Sequence, residues 1–251
     1  MMNFDEELLT RLRAAKRLVF FTGAGASTES GVPTFRDEHN GFWIDFDTSV
    51  YATVFGFLAN PQRVWQWYTE RRRQLTTLQP NAGHRVMAAW QDKAQQVTVI
   101  TQNIDAFHQR AGSRNVFELH GSLARNKCVA SNHDYAADIN DVNAQPPRCS
   151  ECDSLIRPDV IWFDEELPDE IYEQALQLCL DCEVLICVGS SLEVHPAGTL
   201  PVKAALSGVY VVQINPYSTP LDKYAQCNLI GKAGEILPLL WQAVWQESIP
   251  F

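Results

Sequence analysis

Near the start of the chain the apolar positions are Phe4, Leu8, Leu9, Leu12 and Ala15, the three-and-four spacing of an amphipathic helix. The run that follows, Leu18, Val19, Phe20 and Phe21, is apolar without alternation and predicts a strand buried on both faces. It breaks into Thr22, Gly23, Ala24, Gly25, Ala26 and Ser27, a turn rather than a continued strand. Runs of the same unalternating kind recur at 97–100, 116–119, 184–188 and 209–214. Helical periods over 81–92, 168–182 and 196–206 separate several of them, and a last helix is predicted over 234–247. Doubly buried strands alternating with helices predict the α/β class: a Rossmann-like doubly wound parallel sheet.

Two stretches break the alternation. Residues 37–79 carry Phe42, Trp43, Phe46, Tyr51, Phe55, Phe57, Trp65, Trp67 and Tyr68 and read as loop plus helices. Residues 121–157 are polar and cysteine-bearing, with no period. Both are read as insertions that build a smaller module, the first helical and the second zinc-ribbon-like. The expected organisation is one domain over 1–251. Its Rossmann part covers about 1–36, 80–120 and 158–251, and the small module about 37–79 and 121–157.

Composition narrows the function. The 251 residues hold 30 acidic and 20 basic side chains, a formal charge of −10, which argues against a sequence-independent grip on nucleic-acid phosphate. No apolar run reaches the length of a membrane span, and the acidic, amphipathic N-terminus does not read as a signal peptide. Seven cysteines, an odd number, favour free thiols or a metal site over a disulfide framework and fit a cytoplasmic chain.

A glycine turn after a buried strand lets backbone approach a pyrophosphate at a helix N-terminus, although by itself it is equally a plain strand-to-helix link. Thr28 stands where the dinucleotide fingerprint has its third glycine, and no acidic residue closes a second strand about 20 residues on. A hydride-transferring Rossmann enzyme is therefore disfavoured. The whole stretch 23–37, Gly-Ala-Gly-Ala-Ser-Thr-Glu-Ser-Gly-Val-Pro-Thr-Phe-Arg-Asp, resembles the first signature of the sirtuins, NAD-dependent protein lysine deacylases. Further motifs follow in that family's order: Thr-Gln-Asn-Ile-Asp at 101–105, Leu-His-Gly at 119–121, Cys-Ser-Glu-Cys at 149–152, Arg-Pro-Asp-Val-Ile-Trp-Phe at 157–163 and Gly-Ser-Ser-Leu-Glu-Val at 189–194.

The resemblance implies a single sirtuin-type catalytic domain with NAD as a consumed cosubstrate, lying across the carboxyl ends of the strands. It implies cofactor contacts from Gly23, Ala24, Gly25, Ser27, Gln102, Gly189, Ser190, Ser191, Asn215 and Ala233, with Phe35 and Arg36 over the nicotinamide ribose. Asn103, Ile104 and Asp105 would form the nicotinamide pocket, an amide and a carboxylate suiting a carboxamide. His120 would be the general base, and Asn103 would act with it in catalysis. His84, His108 and His195 are read as structural. In the implied reaction the acyl-lysine oxygen displaces nicotinamide, the acyl group moves to the 2′-hydroxyl, and water frees the amine. The peptide would lie as a strand between 160–163 and 191–194, against Val160 and Phe163, while Asp164 departs from the glycine of most relatives.

Tyr68 and Arg71 are three apart on one predicted helix, and they resemble the Tyr-x-x-Arg pair of class III sirtuins, which accept succinyl and malonyl groups. Arg72 and Arg73 are read as a solvated face. Cys149 and Cys152 form one C-x-x-C pair and Cys128 opens another, with 20 residues between Cys128 and Cys149, but position 131 is Ser131. The structural zinc that the resemblance implies thus has three thiolates, with His133 or Asp134 as a possible fourth ligand or the metal lost. Cys179, Cys182 and Cys187 are read as buried apolar residues. The expected function is NAD-dependent removal of succinyl, malonyl and acetyl groups from protein lysines by a monomer. Protein mono-ADP-ribosyl transfer and a non-catalytic NAD or ADP-ribose binding module are the competing classes.

Overall fold

The computed structural model describes residues 3–32, 47–132, 135 and 145–249. Helix α1 (Glu6–Ala14) is capped by Asp5, whose carboxylate accepts from the Glu7 N–H at 2.7 Å, and it leads into β1 (Arg17–Thr22). A 3₁₀ turn (Ala24–Ser30) follows. The helical insertion holds α2 (Thr48–Tyr51), α3 (Val54–Ala59) and α4 (Pro61–Thr77), the last starting with Pro61 in its first turn. Next come α5 (Ala82–Trp90), β2 (Gln96–Thr101), α6 (Phe107–Arg110) and β3 (Val116–Glu118). The hairpin-like pair β4 (Gly121–Cys128) and β5 (Ile156–Val160) brackets the second insertion. Then α7 (Asp169–Asp181), β6 (Val184–Val188), α8 (Leu200–Leu206), β7 (Tyr210–Asn215), β8 (Cys227–Ile230) and α9 (Ala233–Trp245) complete the chain.

Six strands form one parallel sheet in the order β3-β2-β1-β6-β7-β8, with β1 beside β6 at its centre. The unalternating apolar runs have their expected cause. In β1, Leu18 and Phe20 face α1, α5 and α9, while Val19 and Phe21 face α7 and α8. Both faces are covered, so each side chain of the run leaves water and contributes roughly 1.5–3 kcal/mol. Strand β8 escaped the periodicity reading because it is a short edge of four residues in which only Leu229 is buried. Antiparallel β4 and β5 escaped it because β4 is largely polar. They belong with α2–α4 in a separate apolar cluster around Tyr51, Phe57, Tyr68, Leu123, Val160 and Trp162. Among the described residues no helix is long and apolar enough to cross a membrane.

The two loops at the centre of the sheet interlock. Gly25 donates its N–H to the Gly189 carbonyl at 2.8 Å, and Gly23 donates to Val188 at 3.1 Å. A Cβ on Gly25 would stand 2.7 Å from the Gly189 oxygen. Gly189 itself has φ of 60°, and a Cβ there would meet the Ala26 nitrogen at 2.3 Å. These glycines are therefore required first by contact between two backbones. Gly189→Ala should lower the urea midpoint at constant m, a loss of about 2–4 kcal/mol from combined strain and overpacking. A midpoint equal to wild type would contradict this interlock.

Candidate active site

The interlocked loops stand at the carboxyl ends of β1 and β6, and the neighbouring ends of β2 and β7 supply the rest of a continuous rim. Gln102, just past β2, donates from Nε2 to Ser190 Oγ at 2.9 Å, and Asn215, ending β7, donates from Nδ2 to the Ser190 carbonyl at 2.9 Å. Ser190 is buried, and its hydroxyl also accepts from the Leu192 N–H at 3.3 Å, so the side chain ties the loop together. Ala24, Gly25 and Ser191 are half-buried on the rim, whereas Ala233 is buried at the start of α9. Phe35 and Arg36 lie outside the described residues.

Asn103 is held twice. Its backbone N–H donates to Thr101 Oγ1 at 3.0 Å, and its Nδ2 donates to the Gly23 carbonyl at 3.0 Å and to Ser27 Oγ at 3.2 Å. Those bonds use the amide's donors and leave its oxygen to offer. Asp105 is buried, with Ser27 Oγ donating to Oδ2 at 2.6 Å and the Phe107 N–H to Oδ1 at 2.9 Å. Burial raises its pKa, the hydrogen bond from Ser27 opposing. Ile104 lends its carbonyl to the Leu123 N–H at 2.8 Å, fixing this loop to β4.

His120 is half-buried at the β3–β4 junction. Its Nδ1 lies 3.1 Å from the Gln102 carbonyl, which can only accept, so Nδ1 carries the proton and Nε2 a lone pair. Burial lowers its pKa below the ordinary value, with the bond to Gln102 working against the shift. The ring is neutral near pH 7 and able to take a proton through Nε2.

The segment after β5 is more committed than a bare edge. The Ile161 N–H goes to the His120 carbonyl at 3.0 Å, the Trp162 N–H to Glu165 Oε2 at 2.8 Å, and the Phe163 N–H to the Ala52 carbonyl at 2.9 Å. Val160 is buried and Phe163 is exposed. Asp164 receives the Val54 N–H at 2.9 Å on either oxygen, capping α3 and joining this segment to the helical insertion.

On α4 both Tyr68 and Arg71 are buried, at 4% and 8% exposure. The Tyr68 hydroxyl accepts from Trp162 Nε1 at 2.8 Å, and burial raises its pKa. The Arg71 guanidinium lies 4.7 Å from the Trp67 ring centroid and donates to Gln74 Oε1 at 2.9 Å, and burial lowers its pKa. The solvated-face reading holds for Arg73, exposed and paired with Glu70, and fails for Arg72. Arg72 is buried and donates to the Leu123 and Arg125 carbonyls and to Asn126 Oδ1 at 2.6–3.0 Å, clamping α4 to β4. A run of three arginines carries no sign of which one turns inward. The sequence reading also missed Arg157, buried 3.5 Å from the Trp162 ring centroid and bidentate to Glu165.

Cys128, Cys149 and Cys152 converge, with their sulfurs all within 4.8 Å of one another and Cys128 3.5 Å from Cys152. Tetrahedral zinc with bonds of about 2.3 Å spaces its sulfurs by about 3.8 Å, so the three thiols could hold zinc. Hydrogen bonding, led by the Ser131 hydroxyl, pulls the Cys128 thiol down to about 6, toward the thiolate that ligates metal. His133 and Asp134 lie outside the described residues. Cys179, Cys182 and Cys187 are buried as expected, and desolvation pushes Cys182 up to about 12.

As a test for a dinucleotide, the rim offers glycine backbone, an amide beside a carboxyl, and a neutral histidine, all at the carboxyl ends of parallel strands. That donor set fits NAD. Comparison with known proteins agrees. The model of the Sir2 family matches residues 23–196. An NAD-dependent protein deacylase of Methylococcus capsulatus is 43% identical over 250 residues, covering 97% of this chain and 98% of that one. A Sir2 homologue solved as its NAD complex has a TM-score of 0.89 and 38% identity, over 97% of this chain and 95% of its own. A mutant Sir2 homologue in complex with 2′-O-acetyl ADP ribose has a TM-score of 0.88 and 38% identity, over 97% of both chains.

Protein purified without added metal should carry about one equivalent of zinc by elemental analysis, and Cys149→Ser should carry less than about a tenth with a lowered melting temperature. Equal metal content in both would remove the three thiols as the site.

Proposed function

The chain belongs to the Sir2 family, and we propose on that premise that this NAD-dependent protein deacylase prefers lysines bearing succinyl or malonyl groups over acetyl-lysine. The observation that carries the preference is Arg71, a cation at 8% exposure on the same helix face as Tyr68. Taking a guanidinium out of water is costly, and a carboxylate delivered beside it offsets that cost through charge-assisted hydrogen bonds. The planar fork suits a carboxylate bidentately, while an acetyl group brings no charge for it to pair with. The Tyr68 hydroxyl, accepting from Trp162, keeps its own proton to donate to the same carboxylate.

The rest of the site is assigned by its chemistry. NAD supplies a nicotinamide–ribose bond whose breakage makes the ribose carbon an acceptor for the acyl oxygen. Asn103 and Asp105 orient the carboxamide on that side of the rim, and Ile104 excludes water beside them. Gly23, Ala24, Gly25, Ser27, Gln102, Gly189, Ser190, Ser191, Asn215 and Ala233 shape the cradle for phosphates, ribose and adenine. His120 Nε2 takes the proton of the 2′-hydroxyl, its Nδ1–H anchored on Gln102. Val160 and Phe163 flank the acyl-lysine. Because the N–H groups of 161–163 are engaged within the chain, the peptide must bring its own donors to that side.

Two measurements test this. Arg71→Met should lower kcat/KM for a succinyl-lysine peptide by about ten-fold or more while changing acetyl-lysine turnover less than about three-fold. Equal effects on both acyl groups would refute the preference, and mass spectrometry of the same reactions would expose ADP-ribose transfer if that were the activity. The acid limb of kcat/KM should lie below the ordinary histidine value of 6.5, since burial disfavours the protonated ring and only the neutral ring is active. A limb above that value, or one retained in His120→Asn, would exclude His120 as the base.

A further inference from the structure

Behind the rim lies a set of mostly buried polar groups tied together by two hydrogen-bonded branches. His84 of α5 and His108 of α6, at 0% and 1% exposure, have ring centroids 4.9 Å apart. His84 Nε2 is 3.4 Å from Ser27 Oγ, and His108 Nε2 is 2.9 Å from Thr22 Oγ1. The Ser27 hydroxyl gives its proton to Asp105, and that of Thr22 goes to Thr101 Oγ1 at 2.8 Å. Each hydroxyl oxygen can then only accept from its histidine, so both imidazoles carry their proton on Nε2. Each Nδ1 is buried without a hydrogen-bond partner among the described residues, and desolvation holds both rings neutral, His84 down to about 3.

Both branches end on one residue. From His84, Ser27 receives the Asn103 Nδ2 at 3.2 Å, and from His108, Thr101 receives the Asn103 backbone N–H at 3.0 Å. Asn103 thus joins two branches, Ser27–His84 and Thr101–Thr22–His108, whose imidazole rings lie against each other, with Asp105 attached through Ser27. We propose that His84 and His108 are positioning residues for nicotinamide cleavage: two neutral imidazoles that fix the hydroxyls of Ser27 and Thr22 and so hold Asn103 and Asp105 in one geometry.

The argument is one of satisfied valence. If either histidine lost its Nε2 donor, Ser27 or Thr22 would gain a vacant lone pair and its hydroxyl could turn away from Asp105 or Thr101. Asn103 would then lose one of its two anchors while the ligand-facing side chains remained. A misplacement of this kind lowers the rate of the step it serves more than it weakens binding of a peptide on the far side of the ribose. The two histidines come from two separate helices of the Rossmann part.

The inference rests on the reading of Asn103 and Asp105 as the nicotinamide pocket, so the test separates the two. Exchange of labelled nicotinamide into NAD, in the presence of succinyl-lysine peptide, is measured for wild type, His84→Phe, His84→Gln, Thr22→Val and Asn103→Ala. His84→Phe keeps a ring against Phe107 and removes the donor. His84→Gln restores an N–H at a similar reach. The expected result is exchange reduced five-fold or more in His84→Phe and Thr22→Val, with peptide KM within two-fold of wild type, and recovery to within three-fold in His84→Gln. Wild-type exchange in both His84→Phe and Thr22→Val overturns the proposal, as does a loss in His84→Gln equal to that in His84→Phe. If His84→Phe does not fold, Thr22→Val and His84→Gln decide by the same criteria. Undiminished exchange in Asn103→Ala would instead overturn the pocket reading itself.

Discussion

The site depends on two backbones meeting without side chains between them. Where β1 and β6 end, side by side at the centre of the sheet, the chain must leave both strands in the same small space. Gly25 and Gly189 make that geometry available by hydrogen bonding directly, at distances no Cβ would allow. Everything on the rim is then referenced to this junction. Asn103 bonds to the Gly23 carbonyl, Gln102 to Ser190, and Asn215 to the Ser190 carbonyl, so residues from four strands share one frame. A site assembled this way has its polar groups held by one hydrogen-bonded frame that the chain itself supplies.

The small module solves a different problem, that of keeping cations inside an acidic protein. Arg72, Arg157 and Arg71 are all buried in it, and each is handled by indole faces and oxygen acceptors. Arg72 donates to the Leu123 carbonyl and Asn126, and Arg157 to Glu165 and the Val160 carbonyl, while Arg72 Nη1 and Arg157 Nε are buried with no hydrogen-bond partner among the described residues. Stacked guanidinium and indole rings are also stiff, so the module's shape is fixed by the same contacts that solvate its charges.

The sequence made the sheet legible because a strand buried on both faces has no alternative pattern, and the motifs at strand ends were legible because their chemistry is carried by residue type. What escaped it was direction. Arg71, Arg72 and Arg73 are the same letter three times, yet only Arg73 meets solvent, since a helix of 3.6 residues per turn sends neighbours 100° apart. His84 and His108 were read as structural from their helical patterns, and nothing local says that their rings meet, because α5 and α6 converge only in the folded chain. Thr22 and Thr101, hydroxyls at the last positions of paired strands, were the available hint. Ser131 shows the converse case. It breaks the spacing of four thiols, yet the three that remain converge, since β4, β5 and the turn at 149–152 supply the approach.

The bonded N–H groups of 161–163 bear on solubility as well as on recognition. A surface that welcomes an extended peptide is also a template on which another copy of the same chain, or any partly unfolded strand, could begin to stack. By turning those donors inward, onto His120, Glu165 and Ala52, the chain withdraws half of what a stray strand needs to register against it.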